Sequence, residues 1–546
     1  MKKQLAISRH SKFDNTIHLR LLGYLGLVSW GSTNHIKSIE YTLYSNDIPS
    51  GSEVQERIYT TGCSFTQVKH EPKNQYHGKV VITYQDGTTE EHVSKKISVF
   101  DIEIPSTSTS SNPTARVNYF TTKENFRPSP DCSYYIEIQF ETDGLERFRK
   151  DDPLRAIKDK VGHLELAKNP VRRHDLYSIT QTIEIADMLS ITETLSKLDY
   201  VRYAALTPTP HSLSAKSPDF DNTTENLPVT EFKIDQTPDF TDRQGYLDAI
   251  SATGQLGMNV REAWRQSVGS HATVRHLDFG VYEDHEDLKG HITIATNGKS
   301  NKEHGTASTG VIAAMDNGVG IKGVAHGCNF IYYDKGTTME PILDDVLPGD
   351  IVSLDIQTAE SYPIIAYWSW WSKIKAVVER GGIVFMAAGN GLSDLAWLIE
   401  KNLMEDFGDS GAFLVAACQD SDGRIQGYSN YNHYGLLVNS WGSPRVVTTG
   451  YGDLFSPDSS HTRDYTARFA GTSSALPLVV GVAALLQSYS IEQFNLCLTA
   501  KELVAILAKT GYTEGSQDKI GHRPNAEAAF AYLYELVSAS SRNKMI

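Results

Sequence analysis

Cysteine is scarce in this chain of 546 residues. A disulfide-stapled protein carries many more cysteines, and a structural zinc site usually draws on closely spaced pairs of them. No two cysteines here stand in a C-x-x-C pair, so neither a disulfide framework nor a zinc site is expected. We predict that the five are small buried apolar side chains: Cys63, Cys132, Cys328, Cys418 and Cys497.

Long apolar runs and an excess of positive charge are also lacking. A membrane helix needs about 18 consecutive apolar residues, and no uninterrupted apolar run in this sequence is that long. The 51 Lys and Arg are outnumbered by 66 Asp and Glu, which gives a formal net charge of −15. This balance argues against nucleic acid or an anionic lipid surface as the main partner. The sequence therefore predicts no nucleic-acid partner and no integral membrane segment, and it leaves the oligomeric state open.

The composition is that of a globular protein, with 40% hydrophobic and 21% charged residues. At about 150 residues per domain, the length predicts three or four domains. Residues 1–130 have the alternating pattern of β-strands, for example at 39–44 and 78–84. They hold no group of residues with an evident chemistry. We therefore expect a β-rich N-terminal domain of unknown role.

The middle of the chain changes character twice. Residues 131–210 combine a strand at 134–140, a helix at 185–198 and a strand at 200–205, which predicts a small α+β unit. Residues 211–240 are rich in Ser, Pro, Asp and Asn and can bury little apolar surface. We interpret them as a polar linker.

Residues 241–546 alternate short apolar strands with helical patterns. The strands are expected at 272–277, 383–388 and 412–417, with helices at 366–379 and 474–488. Buried strands that alternate with helices predict an α/β fold with a parallel sheet in a three-layer arrangement. Active sites in such folds lie at the carboxyl ends of the strands.

Four polar residues follow these strands or open these helices. Ser473 is a weak nucleophile until a base removes its proton, and His304 has the imidazole that suits this task. Asp278 can orient that imidazole and stabilise its charged form. The amide of Asn390, together with a backbone N–H, can hold the oxyanion that forms on an attacked carbonyl. The set predicts acyl-transfer chemistry.

The surrounding motifs resemble those of the subtilisin-like serine peptidases, the subtilases. The chain order Asp, His, Ser is that of this family, and the resemblance covers about residues 240–535. It is carried by the motifs Asp278-x-Gly-Val, His304-Gly-Thr and Gly471-Thr-Ser473-x-Ala-x-Pro477. It implies a serine endopeptidase with the subtilisin fold, in which Asp278, His304 and Ser473 are catalytic and Asn390 contributes to the oxyanion hole.

The resemblance also implies where substrate binds. Ser353, Leu354 and Gly389 occupy the positions expected to line the cleft and to pair with the substrate backbone. The sequence departs from the family's pattern at Phe279, where a small or polar residue is common. It departs again at Asp355, where glycine is usual, and this puts the specificity pocket in doubt.

Three further expectations follow from the resemblance. Residues 131–210 have the position and pattern of a subtilase propeptide, so we expect a precursor that processes itself within the linker 211–240.

No cofactor is required for the expected chemistry. Some subtilases bind calcium, but no oxygen-rich loop here has a recognisable ligand spacing, so no metal is assigned. The family favours an exported protein, whereas the lack of a clear signal peptide favours the cytoplasm.

Two other classes of function remain open. A catalytically silent or regulated subtilisin-fold protein could bind a protein partner without cleaving it, although the triad is intact here. A serine esterase would use the same acyl-transfer residues. Labelling by a fluorophosphonate separates an active serine enzyme from a silent one, and peptide and ester substrates separate the two enzymes.

Overall fold

A computed structural model gives the fold of most of the chain. Residues 211–235 of the predicted linker lie outside the described residues, as do residues 99–132, which include Cys132. The description covers residues 4–10, 17–22, 36–55, 62–65, 74–98, 133–162, 164–168, 176–179, 183–208, 236–335, 339–398, 409–432, 438–512, 514–515 and 517–543.

Strands and helices alternate most regularly in the second half of the chain. The described strands are β1 Gln4–His10, β2 Ile17–Leu22, β3 Ile36–Ser45, β4 Ile48–Gln55, β5 Gly62–Phe65, β6 Gln75–Tyr84, β7 Thr89–Val93, β8 Ile97–Ser98, β9 Tyr134–Phe140, β10 Ala167–Lys168, β11 Leu176–Ile179, β12 Val201–Pro208, β13 Thr273–Asp278, β14 Thr293–Ile294, β15 Asn329–Asp334, β16 Ile351–Leu354, β17 Ile383–Ala387, β18 Phe413–Cys418, β19 Val438–Trp441, β20 Val446–Thr449, β21 Tyr465–Phe469 and β22 Leu496–Cys497.

The described helices range in length from four to 23 residues. They are α1 Gly144–Asp151, α2 Arg155–Val161, α3 Ile185–Ser196, α4 Val260–Ala263, α5 Lys302–Ala313, α6 Glu340–Asp345, α7 Trp368–Glu379, α8 Leu395–Leu398, α9 Thr472–Phe494, α10 Ala500–Thr510, α11 Gln517–Ile520 and α12 Ala526–Asn543.

A seven-stranded sheet forms the centre of the second half. Its order is β14-β15-β13-β16-β17-β18-β19, and all neighbouring strands are parallel. Strands β13, β16, β17 and β18 are buried along their whole length. This explains why they are nearly continuous apolar runs instead of alternating ones. The predicted α/β fold with a parallel sheet is confirmed.

Helix α9 is the core helix of this half. It packs against strands β16 to β19 and against α5, and its first 20 residues are buried. By length and apolar composition alone it could cross a membrane, but all of its most apolar window is buried inside the protein. Its apolar residues are therefore accounted for by the core.

The first 98 residues contain two sheets over one shared core. The sheet orders are β22-β1-β2-β5 and β4-β3-β6-β7, with β8 added to β6. Leu19 of the first sheet lies directly against Gly78 of the second, where a methyl group would meet it at 2.3 Å. The strand β22 in the first sheet comes from the second half of the chain, so the two parts are joined. We call the described residues within 4–98 the N-terminal sandwich.

A further four-stranded sheet, β10-β11-β9-β12, lies in sequence between the sandwich and the seven-stranded sheet. Helix α3 packs against its strand β12, and the two share a core that includes Ile138, Leu195 and Leu206. We call this part, within residues 133–208, the α+β unit.

Candidate active site

Asp278 and His304 form a buried pair at the carboxyl edge of the central sheet. Asp278 is the last residue of β13, and His304 lies in the first turn of α5. Nδ1 of His304 is 2.9 Å from both carboxylate oxygens of Asp278. The backbone N–H of Phe279 donates to one of these oxygens at 2.7 Å. The Asp278 carboxylate is therefore held in place. It favours the tautomer of His304 that carries its proton on Nδ1, and Nε2 faces away from Asp278.

The pair strongly perturbs the protonation of both groups. Burial would lower the pKa of His304, but the adjacent Asp278 carboxylate outweighs this effect and raises it to about 9. Burial would raise the pKa of Asp278, but the His304 imidazolium outweighs this effect and holds it below its usual value. The geometry therefore stabilises an imidazolium, as catalysis by such a pair requires.

Ser473 lies in the first turn of helix α9, two residues after a glycine with a positive φ. Gly471 has φ +95° and brings the chain into the helix, in which Ser473 is the second residue. Its Oγ and the Nε2 of His304 are both buried, and neither has a hydrogen-bond partner in the part of the chain that the structure describes. Catalytic hydrogen bonds are often long before substrate binds.

Asn390 lies beside the same turn. Its side-chain oxygen accepts hydrogen bonds from the backbone N–H and the hydroxyl of Thr472, both at 3.0 Å. A methyl group on Gly471 would lie 3.3 Å from Nδ2 of Asn390 and 3.6 Å from Oγ of Ser473. The amide nitrogen of Asn390 and the hydroxyl of Ser473 therefore border the same small space.

The structure brings Asp278, His304, Asn390 and Ser473 to one edge of the sheet. It places Ser353 and Leu354 differently, inside the sheet, because β16 is flanked by β13 on one side and β17 on the other. The hydroxyl of Ser353 is 3.0 Å from Nδ1 of His276, and Leu354 is fully buried. Chain beyond Leu354 is therefore better placed than these two side chains to face a substrate.

Gly389, the third predicted substrate-binding residue, lies at the turn after β17. It has φ +95°, and its carbonyl accepts a hydrogen bond from the backbone N–H of Asn430 at 3.0 Å. A methyl group at this position would approach the carbonyl oxygen of Ser361 to 2.4 Å. The turn that precedes Asn390 therefore requires glycine for its shape.

Two ionisable residues behind the pair were not predicted as part of the site. Nε2 of His276 is 3.5 Å from Asp278. Asp355 turns inward, where one oxygen accepts a hydrogen bond from Ser308 of α5 at 2.6 Å and the other has no described partner. Burial raises the pKa of Asp355 well above its usual range, Asp278 adds to this, and His304 opposes it. His276 could have been suspected because it lies two residues before Asp278, on the same face of its strand.

Two groups among the described residues could hold a metal ion. One is His276, Asp278 and Asp355, and the other is Glu303, His461 and Asp464. Each contains an imidazole and only two carboxylates, whereas calcium takes six to eight oxygen ligands. Neither group therefore fits calcium, and the chemistry derived below uses no metal.

Comparison with known proteins gives a family for part of the chain. Residues 269–523 match the Subtilase family. This part of the chain belongs to that family, a class of subtilisin-like serine endopeptidases. The match includes the four residues that the structure brings together.

Three relatives illustrate the similarity. An "Extracellular protease" of Xanthomonas campestris pv. campestris is 25% identical over 43% of this chain and 47% of its own length. "Fervidolysin" of Fervidobacterium pennivorans is 26% identical over 44% of this chain and 37% of its own length. A "Calcium-dependent protease" of Trichormus variabilis is 25% identical over 42% of this chain and 40% of its own length. The chain thus spans less than half the length of each of these relatives.

A solved structure, that of the "Prenylagaramide maturation protease PagA", is 16% identical. It overlaps 50% of this chain and 98% of its own length, with a TM-score of 0.38.

Proposed function

We propose that this chain is a serine endopeptidase that hydrolyses peptide bonds through an acyl-enzyme. The observation that carries the proposal is the pairing of His304 Nδ1 with both oxygens of Asp278, together with a buried Ser473 hydroxyl that has no described partner. A buried imidazole nitrogen such as Nε2 of His304 and a buried hydroxyl are costly without hydrogen-bond partners unless a substrate or transition state uses them. The family of residues 269–523 supports the same activity.

In the proposed reaction, Ser473 Oγ attacks the carbonyl carbon of the scissile bond while Nε2 of His304 takes its proton. Asp278 stabilises the resulting imidazolium. Nδ2 of Asn390 and the N–H of Ser473, which lies in the first turn of α9, donate to the oxyanion. His304 then gives its proton to the leaving amine. Water releases the acyl group by the same steps in reverse.

The test compares wild type with Ser473→Ala. A fluorophosphonate should label wild type and the control variant Ser460→Ala, whose serine lies in an exposed turn, but not Ser473→Ala. Casein cleavage should fall by roughly 10⁶-fold in Ser473→Ala, a loss of the size measured for the triad serine in subtilisin itself. Equal labelling of all three proteins would contradict the assignment of Ser473.

The two alternative functions give different results in the same assays. A silent binding protein is labelled by no fluorophosphonate and cleaves neither casein nor esters. A serine esterase is labelled at Ser473 and hydrolyses ester substrates, but it leaves casein and peptides intact. The endopeptidase alone is labelled and cuts casein.

We also propose that the α+β unit acts as a propeptide. Its strands β9 and β12 face helix α7 through a buried ionic group. Nζ of Lys373, on α7, is 2.7 Å from Glu137 of β9 and 2.7 Å from Glu340 of α6. Thr207, near the end of β12, donates a hydrogen bond to Ser369 of α7 at 3.0 Å. The unit is thus docked, immediately before the polar linker, on the part within residues 241–546, which we call the catalytic half.

Intact mass and N-terminal sequencing test the proposed processing. Wild type should be cut within 205–245, and Ser473→Ala should remain whole. Mixing the two proteins shows whether the cut occurs within one molecule, because only a cut between molecules shortens the Ser473→Ala chain. Full-length wild type that nevertheless cleaves casein would contradict self-processing and leave the endopeptidase in place.

The proposed chemistry requires no metal, although one relative is named a calcium-dependent protease. We expect EDTA to leave peptide cleavage unchanged within about twofold, measured against a sample with added calcium. A loss of activity that calcium restores and magnesium does not would contradict this expectation.

A further inference from the structure

The N-terminal sandwich sends one arginine into the catalytic half. Arg20, on β2, is buried, and its Nη1 donates to Asp350 at 2.5 Å and to Thr273 at 2.8 Å. Its Nη2 donates to the carbonyl oxygen of Pro348 at 2.9 Å. All three acceptors belong to the catalytic half. A single side chain thus makes three hydrogen bonds across this boundary.

The carboxylate that receives Arg20 is shared with an arginine of the catalytic half itself. Nε of Arg275 donates to the second oxygen of Asp350 at 2.8 Å, and both residues are fully buried. Burial would raise the pKa of Asp350, but Arg20 and Arg275 outweigh it and hold it below its usual range. Nη2 of Arg275 donates to the backbone of Asp345, whose charge also acts on Arg275. Two guanidinium groups thus face two carboxylates.

Removing Arg20 would leave this buried group with an excess negative charge. Breaking a buried ion pair by loss of one partner is strongly unfavourable, because the other charge stays away from water. Salt also screens such a pair poorly, since it is buried. The contact should therefore persist where an exposed ion pair would not.

A strand pairing reinforces the same boundary. β1 of the sandwich runs parallel to β22, with Arg9 opposite Leu496 and His10 opposite Cys497. The backbone N–H of Arg9 donates to the carbonyl of Asn495 at 3.2 Å. β22 follows directly after α9, the helix that carries Ser473 near its start. One sheet therefore contains strands from both parts of the chain.

The contact lies at the opposite edge of the central sheet from the candidate active site. Thr273 begins β13 and Asp350 immediately precedes β16, whereas Asp278 and Asp355 lie at the carboxyl ends of the same two strands. A six-residue strand spans about 17 Å, at about 3.3 Å per residue. The sandwich can therefore stay in place without covering the catalytic residues.

We propose that the N-terminal sandwich is a permanent part of the enzyme. It stays bound to the catalytic half after the chain between them is cut. It fastens the amino ends of the two strands whose carboxyl ends carry Asp278 and Asp355. The surface of the catalytic half at the amino ends of β13 and β16 is therefore occupied by the N-terminal sandwich, within residues 4–98. This assignment separates the sandwich from the α+β unit, whose proposed role requires its release.

The test uses full-length Ser473→Ala, so that its outcome does not depend on the proposed activity. Recognition sequences for a specific protease are inserted within 106–113 and within 211–223, and both are cut. Size-exclusion chromatography in 1 M NaCl with mass spectrometry then identifies the fragments in each peak. The fragment that begins at residue 1 should co-elute with the fragment that ends at residue 546. Elution of these two in separate peaks would overturn the proposal.

A pair of variants tests whether Arg20 holds the contact. Arg20→Met keeps the length of the side chain but removes its charge, and it should weaken the association of the two fragments by roughly 100-fold or more. The control Lys79→Met removes a half-exposed ion pair with Glu91 inside the sandwich and should have little effect. Circular dichroism of the full-length chain before cutting shows that each variant still folds. Equal association of Arg20→Met and wild type would refute the role of Arg20.

Discussion

At the scale of single residues, the protonation of His304 connects activity with stability. Its raised pKa means that the imidazolium paired with Asp278 is favoured in the folded protein. A general base must be neutral to take the proton of Ser473. The pairing that orients the ring therefore also withholds it from catalysis at low pH.

We expect kcat/KM for a peptide substrate to rise with pH and to level off only above about 9, where His304 loses its proton. Stability changes in the opposite direction. The contribution of the charged pair is fully present below pH 6.5 and is lost as pH rises through about 9. Initial rates and thermal unfolding across pH 6 to about 10 measure both. A rate that is already constant from pH 6 upward would contradict the raised pKa.

Asp355 is expected to affect the pH dependence of activity as well. Burial raises the pKa of Asp355 well above its usual range, which favours its uncharged form, and an asparagine resembles that form; Asp355→Asn should therefore change activity at pH 7 by less than about threefold. Where Asp355 is ionised, its charge stabilises the imidazolium of His304. The variant should therefore reach its full rate at lower pH than wild type. Identical pH profiles would show that the two groups are not coupled. Asp316→Asn, an exposed aspartate of the second half of the chain, serves as the control.

At the scale of elements, the turn into α9 sets the geometry of the candidate oxyanion hole. Gly471 combines a positive φ with close approach to Asn390 and Ser473. The helix after it is buried, so the turn cannot shift without disturbing the core. The position of Ser473 therefore depends on a glycine that performs no chemistry.

Gly471→Ala should lower kcat by about 10²-fold or more, because its methyl group would displace Nδ2 of Asn390. Loss of one oxyanion donor costs about 10²–10³-fold, a range measured in subtilisin itself. The control is Gly87→Ala, which also has a positive φ but no atom within 4 Å of the added methyl. Gly87→Ala is destabilised by a similar amount because its backbone keeps a positive φ, but it should retain full activity. Equal losses in both variants would point to backbone strain alone.

At the scale of the whole molecule, buried charges join the three parts of the chain. Arg20 links the sandwich to the catalytic half, and Lys373 links the α+β unit to it. The apolar cores of these parts are separate from one another. The ionic contacts therefore help to hold the parts together, alongside the pairing of β1 with β22 and the hydrogen bond from Thr207 to Ser369.

Lys373→Met should lower the free energy of unfolding by about 3–5 kcal/mol, because it leaves Glu137 and Glu340 buried without their cation. Thermal unfolding of uncut Ser473→Ala with and without the substitution measures this. Lys197→Met, which removes an exposed ion pair with Glu193, should change the midpoint little. Restored stability in Lys373→Met with Glu137→Gln would confirm the charge imbalance as the cause.

Much of the candidate site could be predicted from sequence because its residues stand in local motifs. Gly471-Thr-Ser473 encodes both the turn and the helix start, and Asp278 follows a recognisable buried strand. His276 and Asp355 could not be assigned in this way. Their proximity to Asp278 depends on which strands are neighbours. The parallel pairing of β13 with β16 cannot be read from the sequence of either strand.

The amino-acid sequence by itself determined the α/β fold of the catalytic half and the identity of its four candidate site residues. Short-range patterns of burial, turns and helix starts are sufficient for these features. The tertiary structure alone decided that Asp355 turns inward toward α5 and that Arg20 reaches Asp350. Both contacts join residues far apart in the chain, and buried charges are placed only when distant elements pack around them.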